Sequence, residues 1–151
     1  GSTSEAAVQK ILKLEDTALI DMGDFAGGLL KYLRKKPVEC LTIAGGIGKL
    51  TKLAQGAMDL HSSRSQVNMA GLAEMLSNLG ADKDTINQVE NANTASQVLE
   101  LAQKKDLDLG QLIARQARES AMATLSGGTE VHVMVFDRNG NCVGKSNAKH
   151  T

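Results

Sequence analysis

The stretch VECLTIAGGIGKLTKLAQ, residues 38–55, decides the fold class of this chain. Residues 38–44 are largely apolar on both faces of an extended chain, which is typical of a central parallel strand covered on two sides. Gly45-Gly46-Ile47-Gly48 interrupts that pattern, and residues 49–55 resume at helical spacing. The stretch therefore predicts a strand, a glycine-rich turn and a helix.

Most of the remaining chain predicts helices. Their expected positions are about 4–14 with Ser4 as N-cap, from Asp24 to the basic run 34–36, from about Met69 to Gly80, and three further helices opened by Asp82 or Asp84, Thr94 and Asp108, the last stopped by Gly127-Gly128. Residues 17–20 are expected to be extended. The middle section, from about Met69 to Gly128, is therefore expected to consist of helices that pack the core.

The C-terminal part predicts a β-hairpin at about 130–144. Valines alternate with other residues from Val131 to Val135, and Asn139-Gly140 is the dipeptide favoured in two-residue type I′ hairpins. A lone strand–helix unit buries its strand poorly, so the hairpin or the stretch at 17–20 is expected to flank the central strand. The predicted fold is α/β, a helix-rich domain around a small sheet with a central βα glycine-rich turn and a C-terminal hairpin.

Length and composition exclude several classes of function. The chain has 17 Lys+Arg and 17 Asp+Glu, so it carries no basic field that would gather nucleic acid. No apolar run approaches the ~20 residues that span a bilayer, so no membrane partner is expected. Cys40 and Cys142 have no second Cys or His near them in sequence, which predicts two reduced thiols of a cytoplasmic protein, with no metal site and no disulfide.

The 151 residues fit one domain. Gly1-Ser2 reads like the remnant of a cleaved tag, and the helix-like residues from Ser4 follow at once. We therefore expect a domain excised from a longer chain.

The glycine-rich turn is the first candidate for chemistry. Gly45, Gly46 and Gly48 would let backbone approach a ligand, and the following helix N-terminus presents unpaired N–H groups that suit carboxylates and phosphates. The spacing matches neither the dinucleotide-binding G-x-G-x-x-G nor a phosphate-binding P-loop. A purely structural role, in which the glycines serve only a tight turn, remains an alternative.

Two groups of polar residues follow this turn. Lys49 and Lys52, three residues apart, would project from one side of the helix and pair with a polyanion, or else form a solvated surface. The segment Asp59-Leu60-His61-Ser62-Ser63-Arg64 suits proton transfer or carboxylate recognition, or else holds a hydrogen-bonded loop histidine and a helix-capping cluster. His132 is expected to face solvent on its strand.

The run 43–56 followed by Asp59-Leu60-His61-Ser62 resembles the signature block of the cobalt-precorrin-5B C-methyltransferases, the CbiD family. That block has an apolar strand, Gly-His-or-Gly-apolar-Gly-Lys, a second Lys three residues on, Leu-Ala, a Gly, and then His-Ser. Residues 21–28 are similar to the segment before it in one branch of the family, and the resemblance extends from about 4 to 144. Many relatives have Asn-Thr where this chain has Asp59-Leu60, which would alter a substrate contact.

The resemblance implies a cytoplasmic enzyme that transfers a methyl group from S-adenosylmethionine to ring carbon 1 of cobalt-precorrin-5B in cobalamin biosynthesis. It implies His61 as the catalytic residue that moves a proton, and substrate- or cofactor-binding by Gly45, Gly46, Gly48, Lys49, Lys52, Asp59, Ser62 and Arg64. The basic side chains would pair with the carboxylates of the precorrin.

The family's chains are more than twice as long, so the resemblance also implies that this is the C-terminal part of the enzyme, inactive without an N-terminal domain. Two alternatives come from other classes of protein. One is a non-catalytic module that binds an anionic metabolite of the same pathway. The other is an interaction scaffold whose glycines serve only turns.

Overall fold

The computed structural model describes residues 18–21, 26–35, 39–57, 66–125 and 127–147. These form four strands and six helices in the order β1 (Ala18–Asp21), α1 (Ala26–Lys35), β2 (Cys40–Gly46), α2 (Ile47–Ala54), α3 (Met69–Asn78), α4 (Lys83–Glu90), α5 (Ala95–Lys104), α6 (Leu109–Leu125), β3 (Glu130–Phe136) and β4 (Cys142–Ser146). The predicted helix-rich α/β class is confirmed. The helix expected at 4–14, the cap Asp24 and Gly1-Ser2 lie outside the described residues.

A single sheet with the order β1-β2-β3-β4 organises the fold. β1, β2 and β3 are parallel, and β4 returns antiparallel to β3. Both expected neighbours therefore flank β2, with Leu41 pairing with Ala18 on one side and Val131 on the other. The chain passes from β1 to β2 and from β2 to β3, and each connection moves to the next strand on the same side. Connections between parallel strands are almost always right-handed, so the connecting helices lie on one face of the sheet. Consistently, α1 packs against α6.

The core lies between the sheet and this helix layer. Alternate residues of β2 and β3 face the helices and belong to one apolar cluster: Leu41, Ile43, Val131, Val133 and Val135. α2 and α6 supply fully buried partners, among them Leu50, Leu53, Ile113, Ala114 and Ala117. The opposite face of the sheet is buried as well, at Thr42, Ala44, Met134 and Phe136. β2 is thus the strand covered on two sides that its sequence predicts.

The strand-to-helix junction is tighter than expected. β2 continues to Gly46, which pairs with Phe136, and α2 begins at the next residue, Ile47. Gly46 is the N-cap and is extended, with φ −74° and ψ 162°. The predicted glycine loop is therefore wrong in its boundaries, because the strand pairing holds Gly45 and Gly46 in the sheet and Gly48 lies in the first helical turn.

The predicted helix caps are confirmed at α4, α5 and α6. The side chain of Asp82, not Asp84, accepts a hydrogen bond from Thr85 N at 2.8 Å. Thr94 and Asp108 accept the corresponding bonds at the starts of α5 and α6. At the end of α3, Gly80 has a φ of +97° and Ala81 N donates to Leu76 O, which is the pattern of a left-handed C-cap.

The C-terminal hairpin is confirmed, but its predicted two-residue turn is wrong. A type I′ turn needs positive φ at both central residues, and Asn139 is not among the described residues with positive φ, whereas Gly140 has φ +84°. Gly140 N donates to Asp137 O at 3.1 Å, and Asp137 N donates to Asn141 O at 2.9 Å. These bonds form a longer loop that ends in a left-handed glycine.

The Asp137 carboxylate organises this loop. It accepts hydrogen bonds from Asn139 N and Asn141 N, both at 2.9 Å, and from Asn141 Nδ2 at 3.1 Å. Partial burial raises the pKa of Asp137, but the hydrogen bonds from Asn141, Asn139 and Gly140 together outweigh it and hold the pKa below its ordinary value. The ionised carboxylate is therefore the form that the folded loop prefers.

Replacing Asp137 with Ala is expected to lower the free energy of unfolding by about 1 kcal/mol at pH 7, since it leaves loop N–H groups without their acceptor. Because the folded pKa is depressed, this stability is present above the ordinary pKa of 3.8 and is lost as the pH falls through the folded value. Urea unfolding between pH 7 and pH 2 measures both effects, with the exposed neighbour Arg138→Ala as control. Equal acid sensitivity of Asp137→Ala and the parent would contradict the assignment.

The N-terminus of α6 packs directly on β4 through two glycines. A Cβ on Gly110 would lie 2.8 Å from the Val143 carbonyl carbon, and a Cβ on Gly144 would lie 2.9 Å from Gln111 N. The Gln111 side chain also bonds the backbone of Lys145, donating to its O at 2.7 Å and accepting from its N at 3.0 Å. An amide side chain thus covers part of the otherwise open edge of the sheet.

Candidate substrate cleft

A cleft of about 560 Å³ opens beside the end of β2. Its walls come from one side of α2, the segment that leads into α3, and the loop between α4 and α5. The lining residues are Gly48, Lys52, Gln66, Val67, Met69, Ala92, Asn93, Thr94 and Ala95. A cavity of this size falls within the range of small-molecule sites.

The N-termini of three helices meet at this cleft. Gly48 lies in the first turn of α2, Met69 is the first residue of α3, and Ala95 is the first residue of α5. None of these three helices has an acidic residue in its first turn. Because each helix N-terminus carries the positive end of its dipole, the cleft is suited to negative charge.

Among the described residues, α2 is the one of these three helices whose N-cap makes no side-chain hydrogen bond. The side chain of Asn68 accepts from Gly71 N at 3.1 Å at the start of α3, and Thr94 accepts from Gln97 N at 3.2 Å at the start of α5. At the start of α2 the N-cap is Gly46, which has no side chain to accept such a bond. The first N–H groups of a helix have no intrahelical partner, so those of α2 are the ones a ligand would satisfy.

The described lining carries one charged side chain, the half-buried Lys52, and no carboxylate. The ammonium group of Lys52 and the three helix N-termini therefore all contribute positive electrostatic potential to the cleft. Carboxylates are the side groups that such a surface attracts. The described lining therefore suits an anionic group.

Glycine at positions 46 and 48 is not required by the backbone. Neither residue has positive φ. Of the described residues, none has an atom within 4 Å of a Cβ built on Gly48, and a Cβ on Gly46 would touch Phe136 O at 4.0 Å. A left-handed turn is therefore not what requires glycine at these two positions. Their effect is to leave the start of α2 uncovered.

The structure brings together only some of the residues predicted to bind ligand. Gly48 and Lys52 line the cleft, whereas Lys49 is exposed and is not among the lining residues. Gly45 is buried in β2 opposite Val135, and Gly46 is exposed at its end. Asp59, His61, Ser62 and Arg64 lie outside the described residues, so their roles stay predictions.

Sequence reasoning missed the far wall of the cleft, which the loop 92–95 supplies. The N-cap Thr94 was recognised, but only as the start of a helix. No signal along the chain links it to Gly48, because packing of α5 against α2 alone brings the two together.

A second cluster of reactive side chains lies at the opposite end of β2. Cys40 Sγ is 3.9 Å from His132 Nε2, and the same nitrogen is 3.1 Å from Glu130 Oε1. His132, expected to face solvent, is only 28% exposed. Cys40 is partly buried, whereas Cys142 is exposed.

Among the described helices, none has the length and apolar character needed to cross a membrane.

Comparison with known proteins agrees with the resemblance. The cobalt-precorrin-5B C(1)-methyltransferases of Brucella ovis and Brucella anthropi are each 53% identical to this chain over 146 residues, and that of Brucella abortus (strain S19) is 52% identical. These matches cover 96% of this chain, which spans only 40% of the length of each relative. No solved structure matches significantly. The family described as CbiD, C-terminal domain, matches residues 59–147, and the chain belongs to this family.

Proposed function

We propose that this chain is the C-terminal part of an enzyme that methylates ring carbon 1 of cobalt-precorrin-5B in cobalamin biosynthesis, and that its cleft binds the carboxylate fringe of the precorrin. The names of the relatives support the reaction. The observation that carries the binding site is the convergence of three helix N-termini and Lys52 on a cleft whose described lining has no carboxylate. The proposal places the enzyme in the cytoplasm.

The cleft suits the precorrin better than the methyl donor. A precorrin is a macrocycle fringed with acetate and propionate groups, which match N–H groups and an ammonium. S-adenosylmethionine, the proposed donor, supplies an electrophilic methyl group and carries one carboxylate beside a sulfonium and an ammonium. The described residues of the lining include no carboxylate that would pair with these two cations. We assign the donor to surfaces outside this cleft.

The described residues would hold and orient the acceptor. Lys52 pairs with one carboxylate, and the first N–H groups of α2, exposed by Gly46 and Gly48, bind another. Methyl transfer from a sulfonium needs alignment of donor and acceptor more than a strong base. Fixing the rim of the ring in one orientation is therefore the contribution expected from this surface.

His61 is proposed to act beside this cleft. Gln66, the first described residue after the segment 58–65, lines the cleft. An imidazole there would move a proton during the reaction. The proposal also holds that the N-terminal part of the longer relatives completes the site, and that this chain alone does not turn over substrate.

The test is a titration of the isotope-labelled chain with cobyrinic acid, a cobalt corrin with free carboxylates, and separately with S-adenosylhomocysteine. The corrin is expected to shift the backbone amides of residues 47–49 and 95 and the ring signals of His61, and Lys52→Ala is expected to weaken its binding by about tenfold. Lys49→Ala, on the same helix but outside the lining, is the matched control.

Three outcomes would count against this assignment. If S-adenosylhomocysteine shifts the cleft signals and the corrin does not, the cleft binds the methyl donor. If Lys49→Ala and Lys52→Ala weaken corrin binding equally, the binding comes from general surface charge and not from the cleft. Corrin binding at the cleft, with methyl transfer by the longer enzyme unaffected by Lys52→Ala, would favour a non-catalytic metabolite-binding module.

A further inference from the structure

The cluster of Cys40, Glu130 and His132 has the composition and geometry of a metal site. Its ligand atoms, one sulfur, one nitrogen and one oxygen, all lie within 4.8 Å of one another. Tetrahedral zinc, with bonds of about 2.0–2.3 Å to these three atom types, holds neighbouring ligand atoms about 3.3–3.7 Å apart. The observed separations of 3.9 Å for S···N and 3.1 Å for N···O bracket that range.

The register of the sheet fixes this arrangement. Cys40 pairs with Glu130 and Thr42 pairs with His132 in the parallel ladder of β2 and β3. Paired residues and residues two apart share a face of a sheet, so all four side chains project from the same side. The ligands are therefore placed by rigid backbone, the support that metal sites need.

A nucleophilic relay is a poorer explanation of the same residues. In such a relay the histidine uses one ring nitrogen for the nucleophile and the other for the carboxylate. Here Nε2 of His132 faces both Cys40 and Glu130. Burial, followed by the charges of Glu130 and Glu39, raises the pKa of the Cys40 thiol, whereas an activated nucleophilic cysteine has a lowered pKa.

Thr42 supplies a separate observation. It is fully buried, and its hydroxyl has no hydrogen-bond partner in the described part of the chain. A buried polar atom without a partner is costly, and its usual explanation is a bound water or ion. Water in the fourth position of a metal would bring a partner to the face of the sheet that carries Thr42.

We propose that Cys40, Glu130 and His132 bind a divalent cation of the zinc class, with a fourth position open to water. The His132 and Glu130 side chains are 28% and 53% exposed, which gives the ion a route from solvent. β2 separates this site from Gly46 by about 20 Å, at about 3.3 Å per residue. The site is thus independent of the cleft, and the cation joins the starts of β2 and β3.

The test is a titration of the chelator-treated chain with Co²⁺ as a spectroscopic probe, followed by displacement with Zn²⁺. One cobalt per chain is expected, with intense tetrahedral bands and a thiolate-to-cobalt charge-transfer band. Cys40→Ser should abolish the thiolate band, and His132→Gln should weaken binding by more than about 100-fold, since even outer partners of a ligand contribute 10- to 100-fold. Cys142→Ser, which removes the other thiol, should behave like the parent.

The proposal fails if the parent gives no tetrahedral cobalt spectrum, if Cys40→Ser retains the thiolate band, or if Cys142→Ser loses it. Circular dichroism of each variant checks that the fold is retained. If Cys40→Ser misfolds, the loss of cobalt affinity is measured with Glu130→Gln and His132→Gln instead, because these substitutions change partly exposed side chains. Metal binding does not depend on the corrin, so this result and that of the cleft titration are read separately.

Discussion

Replacing Gly144 with Ala is expected to lower the free energy of unfolding by about 3 kcal/mol or more, because the added methyl group has no space in the packed contact between β4 and α6. The Cβ would collide with the carbonyl group of Gly110 and lie 2.9 Å from Gln111 N. These are backbone atoms of a helix and cannot rotate away as a side chain would. A domain of this size has about 5–15 kcal/mol of stability in total, so the loss would be large.

Thermal unfolding measures the effect, and the midpoint should fall by about 10 °C. Gly28→Ala is the matched control: Gly28 lies inside α1, and a Cβ there would meet nothing within 4 Å. Alanine in a helix interior is favoured over glycine by up to about 1 kcal/mol, so the control should be neutral or more stable. A Gly144→Ala variant as stable as the parent would mean that α6 and β4 do not pack as closely as described.

Replacing Gly48 with Phe is expected to reduce methyl transfer by the longer enzyme by more than about 100-fold while the fold remains intact, if the cleft holds the precorrin as proposed. The backbone at Gly48 accepts a side chain, since φ is not positive and no described residue has an atom within 4 Å of a Cβ there. An aromatic ring on this residue would occupy the cleft and cover the first turn of α2.

Steady-state kinetics with the cobalt-precorrin substrate provide the measurement, and the loss should appear mainly as a raised KM. Gly48→Ala should change kcat/KM only a few-fold, and Lys49→Phe, one residue further along α2 but outside the lining, should leave it near the parent value. Unfolding midpoints within about 2 °C of the parent would show that the fold is intact. Normal KM in Gly48→Phe would remove the cleft from the binding site.

The elements of this fold were largely predictable from the sequence because each has a local cause. The apolar run before Gly45 predicts a buried strand, and Asp82, Thr94 and Asp108 mark helix starts through bonds to residues three positions on. The hairpin was also predicted, but its turn was not. The Asp137 carboxylate gathers the loop N–H groups, and this stabilises a longer turn than Asn139-Gly140 alone would favour.

Sites depend on contacts between residues far apart in the chain, and these were predicted only in part. Gly48 and Lys52 line the cleft, and the sequence pointed to them because glycine at the start of a helix and a lysine later in the same helix suit an anion. The wall at 92–95 was not, since only the packing of α5 against α2 closes the cleft. The role of Gly46 and Gly48 could not be read from the sequence either. The value of φ and the space around a Cβ, which only the structure gives, show whether glycine is needed for a turn or leaves a surface open.

Taken alone, the sequence determined the α/β class, most helix boundaries and the hairpin, since local patterns of burial and capping specify these. The family came from the resemblance of its residues 43–62 to a known signature block. Only the tertiary structure decided which side chains meet. The absence of a metal site was predicted because Cys40 has no Cys or His close to it in sequence, yet the pairing of β2 with β3 places His132 3.9 Å from it across 92 residues of chain. The physical reason is that strand register, set by burial of the whole sheet, fixes distances between residues that no local pattern connects.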